Sequence, residues 1–134
     1  MHITQETDYA LRIVYCLAKC GQRRDARSIS DEMSVSLRFS LKILGKLAAS
    51  DIVKSYKGSH GGYELSRTPA EITLKDVIWA VEGPYRLSRC IGDDGECNRG
   101  ALGCCAFQTV LSDISRDINK KLAAVTFDDL INEK

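Results

Sequence analysis

Ser36-Leu-Arg-Phe-Ser-Leu-Lys-Ile-Leu-Gly-Lys-Leu-Ala-Ala-Ser50 runs straight into Asp51-Ile-Val-Lys-Ser-Tyr56, Lys57-Gly-Ser-His-Gly-Gly62 and Tyr63-Glu-Leu65, and the reading of this stretch decides the fold. Ser36 is a favourable N-cap, and Leu37, Leu41, Leu44 and Ala48, joined by Ile43 and Leu47, recur at helical steps to give one apolar face. Arg38, Lys42 and Lys46 follow at four-residue steps on the other face. Ile52 to Tyr56 has strand composition, Lys57 to Gly62 is a basic turn rich in glycine, and Tyr63 to Leu65 is a short return strand. A basic-faced helix followed at once by a basic hairpin predicts a winged helix-turn-helix, with one helix in the major groove and the hairpin on the backbone or minor groove.

Upstream, Ser28 to Met33 reads as the partner helix, capped near Ser28 or Arg27, with a break at Ser34-Val35. Before it, Tyr9, Ile13, Cys16, Leu17 and Cys20 mark a helix from Thr4 to Lys19, capped by Thr4 or Thr7 and stopped by Gly21. Cys16 and Cys20 are one turn apart, but no other ligand type accompanies them, and they read as small buried hydrophobes. Asp8 falls in the first turn, where the helix dipole favours a carboxylate. Downstream, Leu74, Val77, Ile78 and Val81 mark a helix ending at Gly83-Pro84, with Trp79 read as packing. Phe107 to Val125 repeats apolar groups in about five turns at nearly coiled-coil spacing, which predicts a dimer seam, and Thr126 caps a last short helix. The expected fold class is mainly α with a small β-hairpin. Its divisions are a winged helix-turn-helix over 1–83, a cysteine-rich loop over 84–106, and a dimerisation helix with a C-terminal helix over 107–134.

Between those helices lies Cys90-Ile-Gly-Asp-Asp-Gly-Glu-Cys97-Asn-Arg-Gly-Ala-Leu-Gly-Cys104-Cys105, with four of the six cysteines and no regular period. The spacing lacks the C-x2-C pairs of structural zinc sites. Thiolates on a glycine-containing loop suit an iron–sulfur cluster. Cys104 and Cys105 are adjacent and do not easily face one metal together, so three loop cysteines and a fourth ligand from elsewhere are expected. A thiol switch, or a loop with incidental cysteines, is the alternative; Asp93, Asp94 and Glu96 beside the thiols disfavour reactive thiolates.

The 134 residues fit one domain, with 44% hydrophobic and 28% charged residues as in ordinary soluble proteins. No apolar run approaches the roughly 20 residues needed to span a bilayer, and the first residues lack a signal-peptide pattern, so no membrane and a cytoplasmic location are expected. The net charge of +1 hides an asymmetry. Lys19 to Arg67 holds ten Lys or Arg against five Asp or Glu, while Thr68 to Lys134 holds eight against eleven. The basic third is the candidate nucleic-acid face. With no nucleotide-binding glycine motif and no catalytic constellation, an enzyme is not expected; a winged-helix adaptor for proteins is a further alternative.

The chain resembles the bacterial winged-helix regulators typified by IscR, NsrR and CymR. The resemblance rests on Thr7-Asp-Tyr-Ala-Leu-Arg12, Gly58-Ser-His-Gly-Gly-Tyr63, Val81-Glu-Gly83, the spaced cysteines and Val125-Thr-Phe-Asp-Asp-Leu130. It implies a homodimer on double-stranded DNA with a palindromic operator, and an iron–sulfur cluster, 4Fe-4S or 2Fe-2S, held by Cys90, Cys97 and Cys105, with Cys104 as the alternative third ligand. Where IscR-like proteins carry a histidine ligand this chain has Gln108, a poor iron ligand. NsrR-like proteins instead use an aspartate of the first helix from the other subunit, which implies that role for Asp8. Cluster-free members make CymR-like regulation the alternative. The expected DNA contacts are Ser36, Arg38, Ser40 and Lys42 on the helix, and Lys54, Lys57, Ser59 and His60 on the wing.

Overall fold

The structure, a computed structural model, describes residues 3–84 and 106–133. The chain opens with α1, Gln5–Cys20. Thr4 is its cap, its Oγ1 accepting from the Thr7 N–H, and Gly21 ends it in the left-handed conformation (φ 68°). Thr7 is fully buried inside the helix. The second helix, α2, is Ala26–Met33 and begins earlier than the sequence suggested. Its cap is Asp25, whose carboxylate accepts from the Ser28 N–H, while Ser28 lies inside the first turn. Ser34 turns the chain with φ 58°, Val35 is buried in the turn, and Ser36 caps α3, Leu37–Ala49.

The hairpin follows as predicted. β1 (Val53–Tyr56) pairs antiparallel with β2 (Gly62–Leu65) in the register Val53 with Leu65 through Tyr56 with Gly62. A 3-10 turn at Pro69–Glu71 leads to α4, Leu74–Glu82, which starts with a reciprocal capping box between Thr73 and Asp76. The remaining described elements are α5, Ala106–Ala124, and α6, Phe127–Ile131, the latter opened by a second capping box, Thr126 with Asp129.

The core is built from Ala10, Ile13, Val14 and Leu17 of α1, Ile29 of α2, Ile43, Leu44 and Leu47 of α3, Ile52 and Val53 at the hairpin, and Val77 of α4. Two placements differ from the sequence pattern. On α3 the buried stripe is Ser40, Ile43, Leu44 and Leu47, so Leu41, expected on the apolar face, is 45% exposed. Both stripes satisfy a three- and four-residue step, and the winner is the one that buries Ile43 and Leu47 with Leu44. The second concerns the chain end. Phe127 is among the largest fully buried side chains and packs in the same cluster as Ile13 and Val77. A two-way bridge joins Thr73 to Thr126, with the Leu74 N–H donating to Val125 O and the Phe127 N–H to Ile72 O. Phe127 of α6 thus packs with the core formed by the earlier helices, while α5 packs against α4.

On α5, Phe107 (70%), Val110 (57%) and Ile114 (42%) expose large apolar surface, while Ser115 is buried. Trp79 of α4 donates from Nε1 to Asn119 Oδ1 at 3.2 Å and carries the Lys75 ammonium over its ring. Among the described residues, no helix is long and apolar enough to cross a membrane.

Candidate nucleic-acid interface

The turn between α2 and α3 sets the candidate reading helix. Ser34 supplies the left-handed residue, the Val35 N–H donates to Ser30 O, and Val35 inserts into the core, which fixes how α3 leaves α2. Ser36 Oγ accepts from the Phe39 N–H, so this expected reader is exposed but already engaged as a cap. Arg38 and Lys42 are exposed, and with Leu41, Gly45 and Ala49 they form the outward stripe of α3. Ser40 does not join them. It is 0% exposed, its Oγ has no hydrogen-bond partner among the described residues, and it faces the core with Ile43 and Leu44. Its expected reading role is withdrawn on that ground.

The first turn of α1 lies against this helix. Glu6 Oε1 is 2.7 Å from Lys46 Nζ and 3.9 Å from Lys42 Nζ, and Tyr9 meets Phe39 edge to face with ring centroids 5.5 Å apart. The lysine pair is thus held at its base by one carboxylate, which leaves a net positive surface for an approaching phosphate.

On the wing, Lys54, Lys57, Ser59 and His60 are all exposed, as expected. The turn closes with the Gly61 N–H donating to Gly58 O, and Gly58 sits at φ 96°, which a side chain rarely adopts. The sequence reading missed what braces it. The Arg23 guanidinium lies 3.4 Å from the Tyr56 ring centroid, donates to His60 O at 3.2 Å and pairs with Glu64 at 3.7 Å. The backbone of Arg24 exchanges two hydrogen bonds with Tyr63, at 2.7 and 2.9 Å, and so adds a one-residue antiparallel bridge to the edge of the hairpin. The phenol of Tyr56 is pushed above its usual range, first by its hydrogen bond with Glu64 and then by burial.

The Arg24 side chain turns inward to a small polar node. It donates to Ser28, pairs with Glu32 and reaches Cys16 Sγ at 2.9 Å, while the Cys16 thiol donates to Glu32 Oε2 at 3.3 Å. Burial, with that hydrogen bond to Glu32, pushes the Cys16 thiol up to about 11. The Glu32 carboxyl is held below its ordinary value, chiefly by its hydrogen bond with Arg24. Cys16 is therefore the small buried group expected, tied into a network, whereas Cys20 is exposed and the two do not share a buried face.

The expected cluster ligands divide across the described boundary. Cys90, Cys97, Cys104 and Cys105 lie outside the described residues. Asp8 is half exposed, 2.8 Å from Arg12, on the rim of an apolar groove of about 290 Å³ lined by Leu11, Tyr15, Met33, Leu74 and Leu130. Among the described residues, no three His, Cys, Asp or Glu side chains converge as a metal site. Cysteine thiols together with a carboxylate are a donor set whose chemistry suits iron, and the partner of Asp8 is a surface arginine in an exposed, weak ion pair.

The pattern of the Rrf2 family, described as iron-dependent transcriptional regulators, matches residues 3–133. The chain belongs to the Rrf2 family. Its relatives include protein aau3 of Rhizobium meliloti, 30% identical over 135 residues (100% of this chain and 87% of that protein), and the HTH-type transcriptional regulator IscR of Pectobacterium carotovorum, 30% identical over 136 residues (100% and 81%). The structure of CymR, the global cysteine regulator of Bacillus subtilis, is similar with a TM-score of 0.76 at 26% identity over 98% of this chain and 96% of that one. This Rrf2 chain is accordingly a winged-helix transcriptional regulator and not an enzyme. Both an IscR and a CymR stand among its relatives, and family membership alone does not choose between a cluster and its absence.

Proposed function

We propose that this Rrf2 protein binds a palindromic operator in double-stranded DNA as a homodimer and regulates transcription in response to an iron–sulfur cluster. The observation that carries the DNA part is the pairing of an exposed Arg38 and Lys42 on α3 with an exposed Lys54, Lys57, Ser59 and His60 on the wing that follows it directly. Ser36 remains in the set as the residue that aims the start of α3 at the backbone. The apolar stripe of Phe107, Val110 and Ile114 on α5 supports self-association, since three large exposed hydrophobes on one helix call for a covering surface.

Cys90, Cys97 and Cys105, or Cys104 in its place, are the thiolates that hold the cluster, and Asp8 of the other subunit is the fourth ligand. When bound, the cluster supplies a centre that oxidants or nitric oxide can alter. The route from that site to DNA runs through α1. Asp8 and Glu6 share its first turns, and Glu6 holds Lys46 and Lys42 of the reading helix. A shift of α1 therefore moves α3, and a few ångströms between two half-site readers is enough to weaken operator binding. The CymR-like alternative keeps the same DNA surface without a cluster and is favoured by the likeness to that structure.

Two measurements test this reading. An operator selected from random duplex DNA should bind with a steep salt dependence, and Arg38→Ala should weaken binding by about tenfold or more at fixed salt. Protein purified without oxygen should absorb in the visible blue and contain iron and acid-labile sulfide in similar amounts, with loss on Cys90→Ala, Cys97→Ala and Asp8→Ala; singly replaced Cys104 and Cys105 assign the third thiolate. A colourless, iron-free protein that still binds its operator would leave the CymR-like alternative standing.

A further inference from the structure

Resting on the DNA reading above, we infer that Leu41 and Gly45 form an apolar, close-approach reader in the middle of α3, specific for the 5-methyl group of a thymine in each half-site. Leu41 is 45% exposed on a helix where Ile43, Leu44 and Leu47 are fully buried and Leu37 is partly buried. It surfaces between Arg38 and Lys42, three residues after one and one before the other, and lies on the same stripe as Gly45. A single exposed leucine is ordinary on a protein surface. Gly45 makes the case different.

Glycine weakens a helix interior relative to alanine, and its presence there usually answers a steric demand. Among the described residues, nothing makes that demand. A Cβ built on Gly45 meets no atom within 4 Å, and its backbone does not need the left-handed region. The demand must come from outside, on the face where Arg38 and Lys42 present positive charge. A stripe that reads Arg38, Leu41, Gly45 lets the helix backbone sink toward the floor of the groove one turn beyond Leu41.

The occupant follows from the chemistry of that floor. Base edges in the major groove are donors and acceptors, and a leucine pressed against them leaves those groups without water or partner. The one apolar feature there is the thymine methyl. Ser40, which the sequence offered as a polar reader beside Leu41, is buried and does not compete. The half-site should therefore contain a thymine within one or two base pairs of the base contacted by Arg38, since Leu41 is one helical turn further on.

The test removes the methyl groups alone. Using the full chain and its selected operator, each thymine is replaced in turn by deoxyuridine, symmetrically in both half-sites, and affinity is measured for the unaltered protein and for Leu41→Ala. At one thymine per half-site the unaltered protein should lose about fourfold per methyl, or about 15-fold for the pair, and Leu41→Ala should be indifferent to the same change. Gly45→Ala should raise the melting temperature yet weaken operator binding about tenfold. Uridine tolerated at every position, or the same loss in both proteins, would overturn the thymine assignment while leaving DNA binding intact. If the random pool yields no enriched sequence, the DNA reading itself fails and takes this inference with it.

Discussion

Gly62→Ala should destabilise the protein by about 3 kcal/mol. Gly62 sits at φ 147°, at the start of β2, and a Cβ there would lie 2.6 Å from the Arg24 carbonyl oxygen and 2.8 Å from its carbon. Both atoms are backbone, so neither can swing aside as a flexible side chain would. The contact is relieved only if the 22–24 segment parts from the hairpin. That opens the two Arg24–Tyr63 hydrogen bonds, worth about 1 kcal/mol each, and alanine at positive φ adds about 1 kcal/mol. For a chain of this size the sum corresponds to a melting temperature lower by about 10 °C. Urea denaturation followed by far-ultraviolet circular dichroism measures it. Gly58→Ala is the control: φ is positive there as well, at 96°, but a Cβ meets nothing, so only the backbone cost of about 1 kcal/mol is expected. Equal losses for the two variants would refute the claim that the Arg24 bridge braces the wing.

The Cys16 thiol sets a second expectation, in alkaline solution. Its folded value of about 11 lies above the ordinary 9, so the unfolded chain releases that proton first, and stability present below pH 9 falls between pH 9 and 11 by ~2 kcal/mol. Urea titrations across that window, compared with Cys16→Ala, check it; an identical pH slope in both proteins would mean the thiol is not buried in the network described. On α5, the double variant Val110→Glu, Ile114→Glu should be monomeric by light scattering while keeping its helical circular dichroism, because two carboxylates cannot be buried in an apolar seam. A persistent dimer would place the interface elsewhere.

The winged helix was legible because its signals are local. Ser36 as cap, the four-residue steps of α3 and the glycines of the hairpin turn each constrain the few residues around them, and the structure follows them closely. The face of α3 was less legible: leucines at 37 and 41 suggested one apolar stripe, and the burial of Ile43 and Leu47 selected another, turning Ser40 inward and Leu41 outward. The brace of the wing was invisible for a different reason. Gln22-Arg-Arg24 reads as a basic loop, and its partner Tyr63 is remote along the chain, so no local pattern records the bridge. The cap of α2 was displaced because Asp25, Ser28 and Ser30 are all capping residues and only tertiary packing chooses one. The expectation of cluster ligands rested on the type and spacing of the cysteines and on family resemblance, and of the residues it names Asp8 lies among the described residues while the cysteines do not.

Phe127 closes the core that Ile13 and Val77 begin, which gives the order of synthesis a consequence. A ribosome makes the reading helix and the wing, which ends at Leu65, well before it reaches Phe127, the aromatic plug for their shared interior. At about 5–20 residues per second the delay between the two is a matter of several seconds. During that interval a nascent chain carries a reading helix on an unfinished core. A chain so ordered presents its α3 on a finished core only after Phe127 has been made, and a product that stops short of Phe127 carries that helix with its interior open.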